Sequence, residues 1–415
     1  SFPLSSTSHL IVFQRFLMIK QLILWFPIIL PLYVLRFTIG PLPTTALECA
    51  FLLLVICVTW KNGWGVWRDG FARTTSWRDP ALLWILATII AVAVAPNHLA
   101  AFGLWRAYVL EPMVFALLLA GTMRDEKDRE DVVAALVVAV TCVAGWSVLQ
   151  YLGILPIPHP WDTDFLTRRA TGPFPFPNAV SLFCAPIAAL CIGRLVWHRE
   201  SDVARTVTCV AWLGFIAGTL ATVLAKSVGG FLAILLTTFL ALVWNKKTRC
   251  VAVISAILIV IAMIATPRIR VPVVSYLTFN EWSGKVRLIT WRETWTMLQD
   301  RPIFGTGFGA YKDAMAPYHR ATAIEIFQYP HNMLLNLWSE TGLLGILAFG
   351  WICVTWIRQS KAMQTSFDFR LSTLLPLIAI LIHGFVDVPY FKNDLVFVFW
   401  IFAVFTLKFP TPLPA

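Results

Sequence analysis

Charged residues are scarce in this chain. Only 13% of its 415 residues are Asp, Glu, Lys or Arg, while 58% are hydrophobic and the mean hydropathy is +0.74. Soluble globular domains carry roughly 25% charged residues, so the composition excludes that class. The sequence therefore indicates a protein that crosses a membrane several times.

Several common signals of function are also missing. All eight cysteines fall in or at the edges of apolar runs, so neither a disulfide framework nor a zinc site is indicated. No internal repeat is evident, although many transporters are built from repeated halves. Gly305, Gly307 and Gly309 resemble a nucleotide loop only superficially, because no predicted strand precedes them. Asp162 and Asp164 have the spacing of a metal-binding pair, but they are expected to be solvated acids, and no metal or cofactor is predicted.

Apolar runs long enough to cross a bilayer, or nearly so, recur along the whole chain. A spanning helix needs about 20 apolar residues, because the hydrocarbon core is roughly 30 Å thick and each residue rises about 1.5 Å. The sequence predicts an all-α polytopic membrane protein that forms a single domain over residues 1–415. The first run contains Pro27 and Pro31 and lacks a small-residue cleavage site, so we expect it to remain as a helix. About twelve runs lie near 19–37, 44–60, 81–97, 100–122, 131–153, 178–197, 206–225, 228–244, 250–266, 332–357, 371–388 and 394–408.

The distribution of Lys and Arg predicts the orientation of the chain, because basic residues are retained in the cytoplasm during insertion. They gather in alternate connections such as 61–78, 124–129 and 246–249, so both termini are predicted to be cytoplasmic. The same topology places the longest hydrophilic segment, 267–331, on the outer face between the ninth and tenth helices. Most of the net charge of +11 therefore serves orientation and indicates no nucleic-acid partner. Only the basic residues of the outer loops suggest an anionic ligand.

Within 267–331, the segment 284–300 has the periodicity of an amphipathic helix. Leu288, Trp291 and Trp295 fall on one face at helical spacing. We expect this helix to lie at the lipid interface, with its Trp side chains at the level of the headgroups. The alternative is a helix that simply caps the bundle.

Two outer loops carry a set of short motifs. They are RATGPFPFPN at 169–178, Arg287 with Trp291, DRPIFGTG at 300–307, and ETGLLG at 340–345. His331 and Gly342 are separated by ten residues. These motifs resemble those of the O-antigen ligase and polymerase superfamily, whose ligases show the same His-x10-Gly spacing.

The resemblance implies a membrane glycosyltransferase with a variant of the C-type glycosyltransferase fold. Such an enzyme takes a glycan from undecaprenyl diphosphate on the periplasmic face of the bacterial inner membrane and passes it to a hydroxyl of the lipid A core. Its expected partners are this lipid-linked donor, a hydroxyl acceptor and membrane lipid. A polysaccharide polymerase and a protein O-oligosaccharyltransferase of the same superfamily remain alternatives, and a flippase for lipid-linked glycans is a less favoured one.

Basic residues of the outer loops have the chemistry that this reaction needs. Cleavage between an anomeric carbon and a diphosphate releases an anion, and Arg can bind phosphate oxygens in pairs with a permanent charge. We predict Arg287 and Arg169 as diphosphate ligands, with Arg168 in support. His331 is predicted as the general base for the acceptor hydroxyl, since imidazole titrates near neutral pH. A single displacement of this kind inverts the anomeric carbon. The alternative for each Arg is a headgroup contact or a loop salt bridge, and for His331 a helix cap.

Three further residues near these loops are predicted to support the site. Asn332 is expected to cap the tenth helix, and Glu340, about two turns deeper, to contact an Arg or to serve structurally. Lys226 lies in a short outer turn where the family often shows Ser-Arg-Gly. Because this chain has Val228 in place of that Arg, Lys226 is expected to supply the charge, unless the role is missing.

Two pairs of ionisable residues lie inside predicted spans, where an uncompensated charge is expensive. Arg106 and Glu111 fall on the fourth predicted helix. His383 and Asp387 are four residues apart and are predicted on one face of the eleventh, near its outer end. Each pair is expected either to lock helices together or to line a cavity for the acceptor or the lipid.

Overall fold

The computed structural model describes residues 18–40, 42–196, 202–363 and 367–409, and this part of the chain is mostly helical, as predicted. Six helices are long and apolar enough to cross a membrane, and two bent helix pairs would raise the number to eight. The six are Thr75–Val94, His98–Thr122, Glu126–Tyr151, Pro177–Val196, Arg205–Leu224 and Met333–Ala362. The bent pairs are Ala46–Lys61 with Gly65–Arg73, and Arg249–Ala265 with Pro267–Asp300.

Four shorter apolar helices of 10 to 17 residues occupy the remaining predicted runs. The count of twelve spans therefore stays a prediction, as does the relation to the C-type glycosyltransferase fold. The ends of the chain, 1–17 and 410–415, lie outside the described residues, so their cytoplasmic placement also stays a prediction. The shorter helices are Met18–Val34, Val228–Trp244, Ser372–Gly384 and Asn393–Val404.

The first predicted run ends earlier than expected, and a small β-hairpin follows it. The 3-10 segment Phe26–Val34 contains Pro31, and the strands Arg36–Ile39 and Leu42–Thr45 then pair antiparallel. The prediction that the helix continues to residue 37 was wrong, because the β-branched Thr38 and Ile39 and a turn at Gly40, with φ of 59°, favour a hairpin. Within the described residues, this pair of strands is the exception to an otherwise helical fold.

The outer loop is partly helical, as the sequence predicted. It contains the helices Pro267–Leu277, Trp282–Asp300 and Tyr311–Met315. The second of these, here named the outer-loop helix, confirms the helix predicted over 284–300. Its residues Thr290, Thr294, Met297 and Leu298 are buried, and the Thr294 hydroxyl hydrogen-bonds the Tyr311 hydroxyl at 2.7 Å. These buried contacts fix one face of the outer-loop helix against the rest of the loop.

The helix Met333–Ala362, here named the bent helix, is broken at Gly342. This glycine has φ of 67° and ψ of −171°, which a residue with a side chain rarely adopts. A Cβ at Gly342 would lie 2.3 Å from the Ile303 carbonyl oxygen, and the amide of Leu343 donates to that oxygen at 2.9 Å. The Thr306 amide donates to Ser339 O at 2.6 Å. Gly305 and Gly342 thus let the two backbone segments approach each other closely.

The turn that follows Phe367–Gly384 positions the candidate site. The helix ends at Gly384, and residues 385–392 lead into the helix Asn393–Val404. We name 385–388 the Asp387 turn. It faces the start of the bent helix on one side and the outer-loop helix on the other, so segments far apart in sequence meet there.

Candidate active site

His331 stands immediately before the bent helix, with its ring directed at the Asp387 turn. Nδ1 lies 3.4 Å from Asp387 Oδ1, and the His331 side chain is 20% exposed while that of Asp387 is 1% exposed. The rings of Phe327 and Tyr329 meet the imidazole edge-on, with centroids 4.9 and 5.0 Å away. A proton on Nδ1, held by the carboxylate, leaves Nε2 unprotonated and able to accept a proton.

Asp387 joins the histidine to the first outer loop motif. Its Oδ2 accepts a hydrogen bond of 2.9 Å from Asn178 Nδ2, while Oδ1 also accepts from the Val388 amide at 2.9 Å. The Asn178 Oδ1 in turn accepts from Arg169 Nη2 at 2.9 Å. A continuous chain of contacts therefore runs from Arg169 through Asn178 and Asp387 to His331.

Arg287 reaches the same turn from the outer-loop helix. Its Nε donates to the Val386 carbonyl oxygen at 2.8 Å, and Nη1 donates to the carbonyl and hydroxyl oxygens of Ser283. Arg169 has a similar arrangement, because its Nε donates to the Ala225 carbonyl at 3.0 Å and its Nη2 to an amide oxygen. Within the described residues, both guanidinium groups are held by neutral acceptors alone, and each keeps one terminal nitrogen without a hydrogen bond.

The two arginines repel each other electrostatically. Burial, and next the charge of Arg287, lower the pKa of Arg169 below its ordinary value. Guanidinium groups that are partly buried near one another and lack a carboxylate salt bridge are stabilised by a bound anion. The arrangement therefore favours a phosphate-like ligand in this part of the site.

Arg168 and Lys226 lie beside this pair without joining its hydrogen-bond chain. Arg168 Nη1 donates to the Tyr151 carbonyl at 3.3 Å, and its guanidinium lies 5.1 Å from the centroid of the Phe165 ring. The Lys226 ammonium donates to the Leu166 carbonyl. Burial, and then the charges of Arg169 and Arg168, lower the pKa of Lys226. The predicted fourth cation is thus within electrostatic reach of both arginines.

Asn332 and Glu340 serve the bent helix and the loop that crosses it. Asn332 is its N-cap, because its Oδ1 accepts from the Leu335 amide at 3.0 Å, which confirms the predicted cap. Its Nδ2 donates to the Phe385 carbonyl at 2.9 Å and so fastens the helix start to the Asp387 turn. Glu340 is buried and accepts from the Gly309 amide, and its role at the site stays a prediction.

Arg106 and Glu111 belong to a different cluster. Arg106 Nη2 lies 2.6 Å from Glu48 Oε2, and its Nη1 lies 3.4 Å from Glu111 Oε1. The other Glu48 oxygen accepts from Asn393 Nδ2 at 2.9 Å. The cluster ties together the helices Ala46–Asn62, Glu111–Thr122 and Asn393–Val404, as expected of a helix-locking pair, and Glu48 is the partner that the sequence did not reveal.

The predicted helical pairing of His383 with Asp387 was wrong. The helix ends at Gly384, so Asp387 lies in the following turn, and the His383 carbonyl accepts the amides of Val386 and Asp387 at 3.1 and 3.0 Å. The His383 ring is buried against Gly229, where an added Cβ would lie 2.8 Å from Cδ2. The helix does not continue through this segment because Pro389 lacks an amide donor and disfavours helical backbone at Val388.

Of the residues that complete the site, Asn178 was seen only as part of a motif, and its bridging position has no signal in the sequence. Asp162 contacts His159, at 3.3 Å from Nδ1 to Oδ1. Over the ranges that the structure describes, three or more His, Cys, Asp or Glu side chains do not gather in an arrangement that could hold a metal ion. The side chains described at the site offer cations, a carboxylate and an imidazole.

A family model and a known protein match parts of this sequence. A family model described as O-Antigen ligase matches residues 213–350, a stretch that contains Arg287 and His331. An O-antigen ligase of Salmonella typhimurium is 23% identical over 294 residues, which are 67% of this chain and 68% of that protein. With the apolar helices, this similarity indicates a multi-pass bacterial membrane protein. Both comparisons bear out the resemblance seen in the motifs and support the O-antigen ligase superfamily for this chain.

Proposed function

We propose that the protein is an O-antigen ligase-type glycosyltransferase. It moves a glycan from undecaprenyl diphosphate to an acceptor hydroxyl, such as that of a lipid A core sugar, on the periplasmic side of the inner membrane. The observation that carries this proposal is the convergence of Arg169, Arg287 and His331 on the Asp387 turn. Cations suited to a leaving diphosphate thus lie near a histidine suited to take the proton of an incoming hydroxyl.

The arginines act on the leaving group. As the bond between the anomeric carbon and the phosphate oxygen lengthens, negative charge grows on the diphosphate, and fixed cations stabilise that charge most in the transition state. The unbonded terminal nitrogens of Arg169 and Arg287 are available to donate to phosphate oxygens, and Arg168 and Lys226 add positive charge behind them. Neither a metal nor a nucleotide enters the proposed step.

His331 acts on the acceptor. Nε2 takes the proton of the acceptor hydroxyl while its oxygen forms the new bond to the anomeric carbon, and the diphosphate leaves with the electrons of the old bond. Asp387 accepts from Nδ1–H, which orients the ring and stabilises the imidazolium that forms. Attack opposite the leaving group in one displacement inverts the anomeric configuration.

Similarity to a protein named O-antigen ligase favours a ligase over the polymerases and protein-glycosylating enzymes of the same superfamily. The His-x10-Gly spacing from His331 to Gly342 favours the same choice. A strain that lacks the protein and accumulates complete glycan chains without lipid A core attached would support the ligase. Single repeat units on the core would instead identify a polymerase.

Substitution of the base tests the enzymatic proposal directly. His331→Gln should lower glycan transfer by about 10²- to 10⁴-fold, because the acceptor proton has no base, while affinity for the polyprenyl-diphosphate donor should persist. His159→Gln is the matched control, since that side chain is 88% exposed in another outer loop, and it should leave transfer unchanged. Transfer by His331→Gln at the wild-type rate would remove His331 as the base.

A further inference from the structure

Lys392 is a charged residue that the proposed chemistry has not yet used. It directly precedes the helix Asn393–Val404. Its Nζ atom is buried and, among the described residues, has no hydrogen-bond acceptor. It lies 4.0 Å from the centroid of the Phe176 ring and 5.5 Å from that of Tyr329. A buried ammonium stabilised only by ring faces is expensive, so nearby carboxylates must stabilise its charge.

Asp387 and Asp394 are the carboxylates that attract this ammonium. Asp387 is also the group that accepts from His331 Nδ1. The Tyr329 ring contacts both side chains, since its centroid lies 5.0 Å from that of the His331 ring and 5.5 Å from Lys392 Nζ. Lys392 and His331 both interact electrostatically with the Asp387 carboxylate.

We propose that Lys392 is a positioning residue that sets the charge state of His331 through Asp387, an inference that rests on the proposed function. A carboxylate beside an imidazole favours the protonated ring, and a protonated ring cannot accept a proton. The ammonium offsets that effect and keeps Asp387 ionised, so that the carboxylate still orients Nδ1–H. The other charged or titratable groups around the imidazole and its carboxylate are Arg287, Arg169, His383, Tyr329 and Asp394.

An NMR titration of the purified full-length protein tests this without any substrate. Histidine is labelled with ¹⁵N, and the His331 signals are assigned by their loss in His331→Gln. In Lys392→Met, the midpoint of the His331 titration should move to higher pH by about one unit, as expected when one neighbouring cation is lost. In Lys392→Arg the charge persists, and the midpoint should stay within a few tenths of a unit of the wild-type value, on the order of the effect of a displaced but retained charge.

Lys312→Met is the matched control, because Lys312 is exposed in the short helix Tyr311–Met315 and undergoes the same chemical change. Its midpoint should equal that of the wild type. If Lys392→Met does not fold, Lys392→Gln makes the same test of charge. An unmoved midpoint in the neutral variants, or an equal upward shift in Lys392→Arg, would overturn the proposal.

Glycan transfer separates this inference from the function on which it rests. With the donor and acceptor in vesicles, Lys392→Met should shift the acidic limb of the transfer rate to higher pH by the same amount as the titration. A uniform loss at every pH, with an unmoved midpoint, would mark a structural role and overturn the proposal. A shifted midpoint together with full transfer by His331→Gln would support the link between Lys392 and His331 while refuting His331 as the base.

Discussion

Arg106 differs from Arg169 and Arg287 in the kind of acceptor that binds its guanidinium group. Arg106 is paired with two carboxylates, Glu48 and Glu111, and so its charge is neutralised by the protein itself. Arg169 and Arg287 are held by carbonyl, amide and hydroxyl oxygens, which orient the guanidinium without cancelling its charge.

The difference separates a structural charge from one that is available to a ligand. Removing one partner of a buried ion pair leaves the other uncompensated, so the pair resists change. A guanidinium fixed by neutral oxygens keeps its full attraction for an anion and part of its hydrogen-bonding capacity. The sequence placed Arg106 in a predicted span and the other two arginines in outer loops, and the identity of the acceptors shows how each charge is held.

The largest expected effects come from replacing Arg by Gln at position 106 and, separately, at position 287. Arg106→Gln should destabilise the fold by about 3 kcal/mol, the low end for a broken buried pair because Arg106 is 38% exposed, with donor affinity unchanged. Arg287→Gln should lower affinity for a polyprenyl diphosphate by roughly 10- to 100-fold, the value of one charge-assisted contact, and change stability by about 1 kcal/mol at most.

Thermal unfolding in detergent and a binding titration on the same samples would measure both quantities. Arg287→Lys sharpens the test, because it keeps the charge but loses the planar fork, and it should bind the donor more weakly than the wild type. If Arg287→Gln lowers stability more than Arg106→Gln and binds the donor normally, the comparison fails.

A change at Gly342 separates loss of backbone fit from loss of charge. Gly342→Ala places a methyl group against the Ile303 carbonyl and forces a side chain onto a positive φ, which should cost about 2 to 3 kcal/mol. Gly350→Ala is the control in the same helix, because no atom lies within 4 Å of its added Cβ. The control should be neutral or about 0.5 to 1 kcal/mol more stable. Equal unfolding midpoints for the two variants would contradict the close approach at the break.

The smallest expected effect is a pH-dependent stability of the outer loop. Its charge pair is titratable, in contrast to the permanently charged arginines compared above. His319 Nδ1 lies 3.0 Å from Glu293 Oε2 on the outer-loop helix. The hydrogen bond with Glu293 raises the pKa of His319 above 6.5. Burial opposes ionisation of Glu293, but hydrogen bonds from the Arg320 amide, His319 and the Ala321 amide outweigh it and lower the pKa of Glu293 below 4.5.

The raised pKa of His319 means that its contribution is complete below pH 6.5 and is lost as pH rises through the folded value. The lowered pKa of Glu293 means that its contribution is present above pH 4.5 and is lost on acidification. Hydrogen exchange of residues 319–321, corrected for the intrinsic effect of pH, should therefore be slowest between these limits. Glu293→Gln should flatten the profile, and protection that increases steadily toward pH 8 would assign the order of this loop to other contacts.

Local patterns predicted the helical parts of the site, because each depends on residues near in sequence. The outer-loop helix followed from its periodicity, and the cap at Asn332 from its place before an apolar run. His331, Arg169 and Arg287 were singled out by motif and charge, and the structure brings all three to one turn. Because these residues are far apart in sequence, the sequence alone could not predict that they lie close together.

The parts that were missed depend on contacts between distant segments. Asn178 bridges two charged residues only because the Asp387 turn folds back on it, and Glu48 is identified as a partner only once three helices have packed. Lys392 lies between two apolar runs, where it was indistinguishable from an ordinary flanking lysine. The start of the hairpin, at residues 36 and 37, was read as the end of a helix, since short strands and helix ends share apolar residues.

The backbone at His331 has a practical consequence for stabilising this protein. His331 has φ of 51°, a left-handed conformation that Gly or Asn adopts at a lower energetic cost than His. Selection for yield or heat resistance alone should therefore favour Gly or Asn at 331, with a gain on the order of 1 kcal/mol. A variant chosen in that way would fold better and would have discarded the proposed base, so position 331 should be held fixed in any thermostability screen.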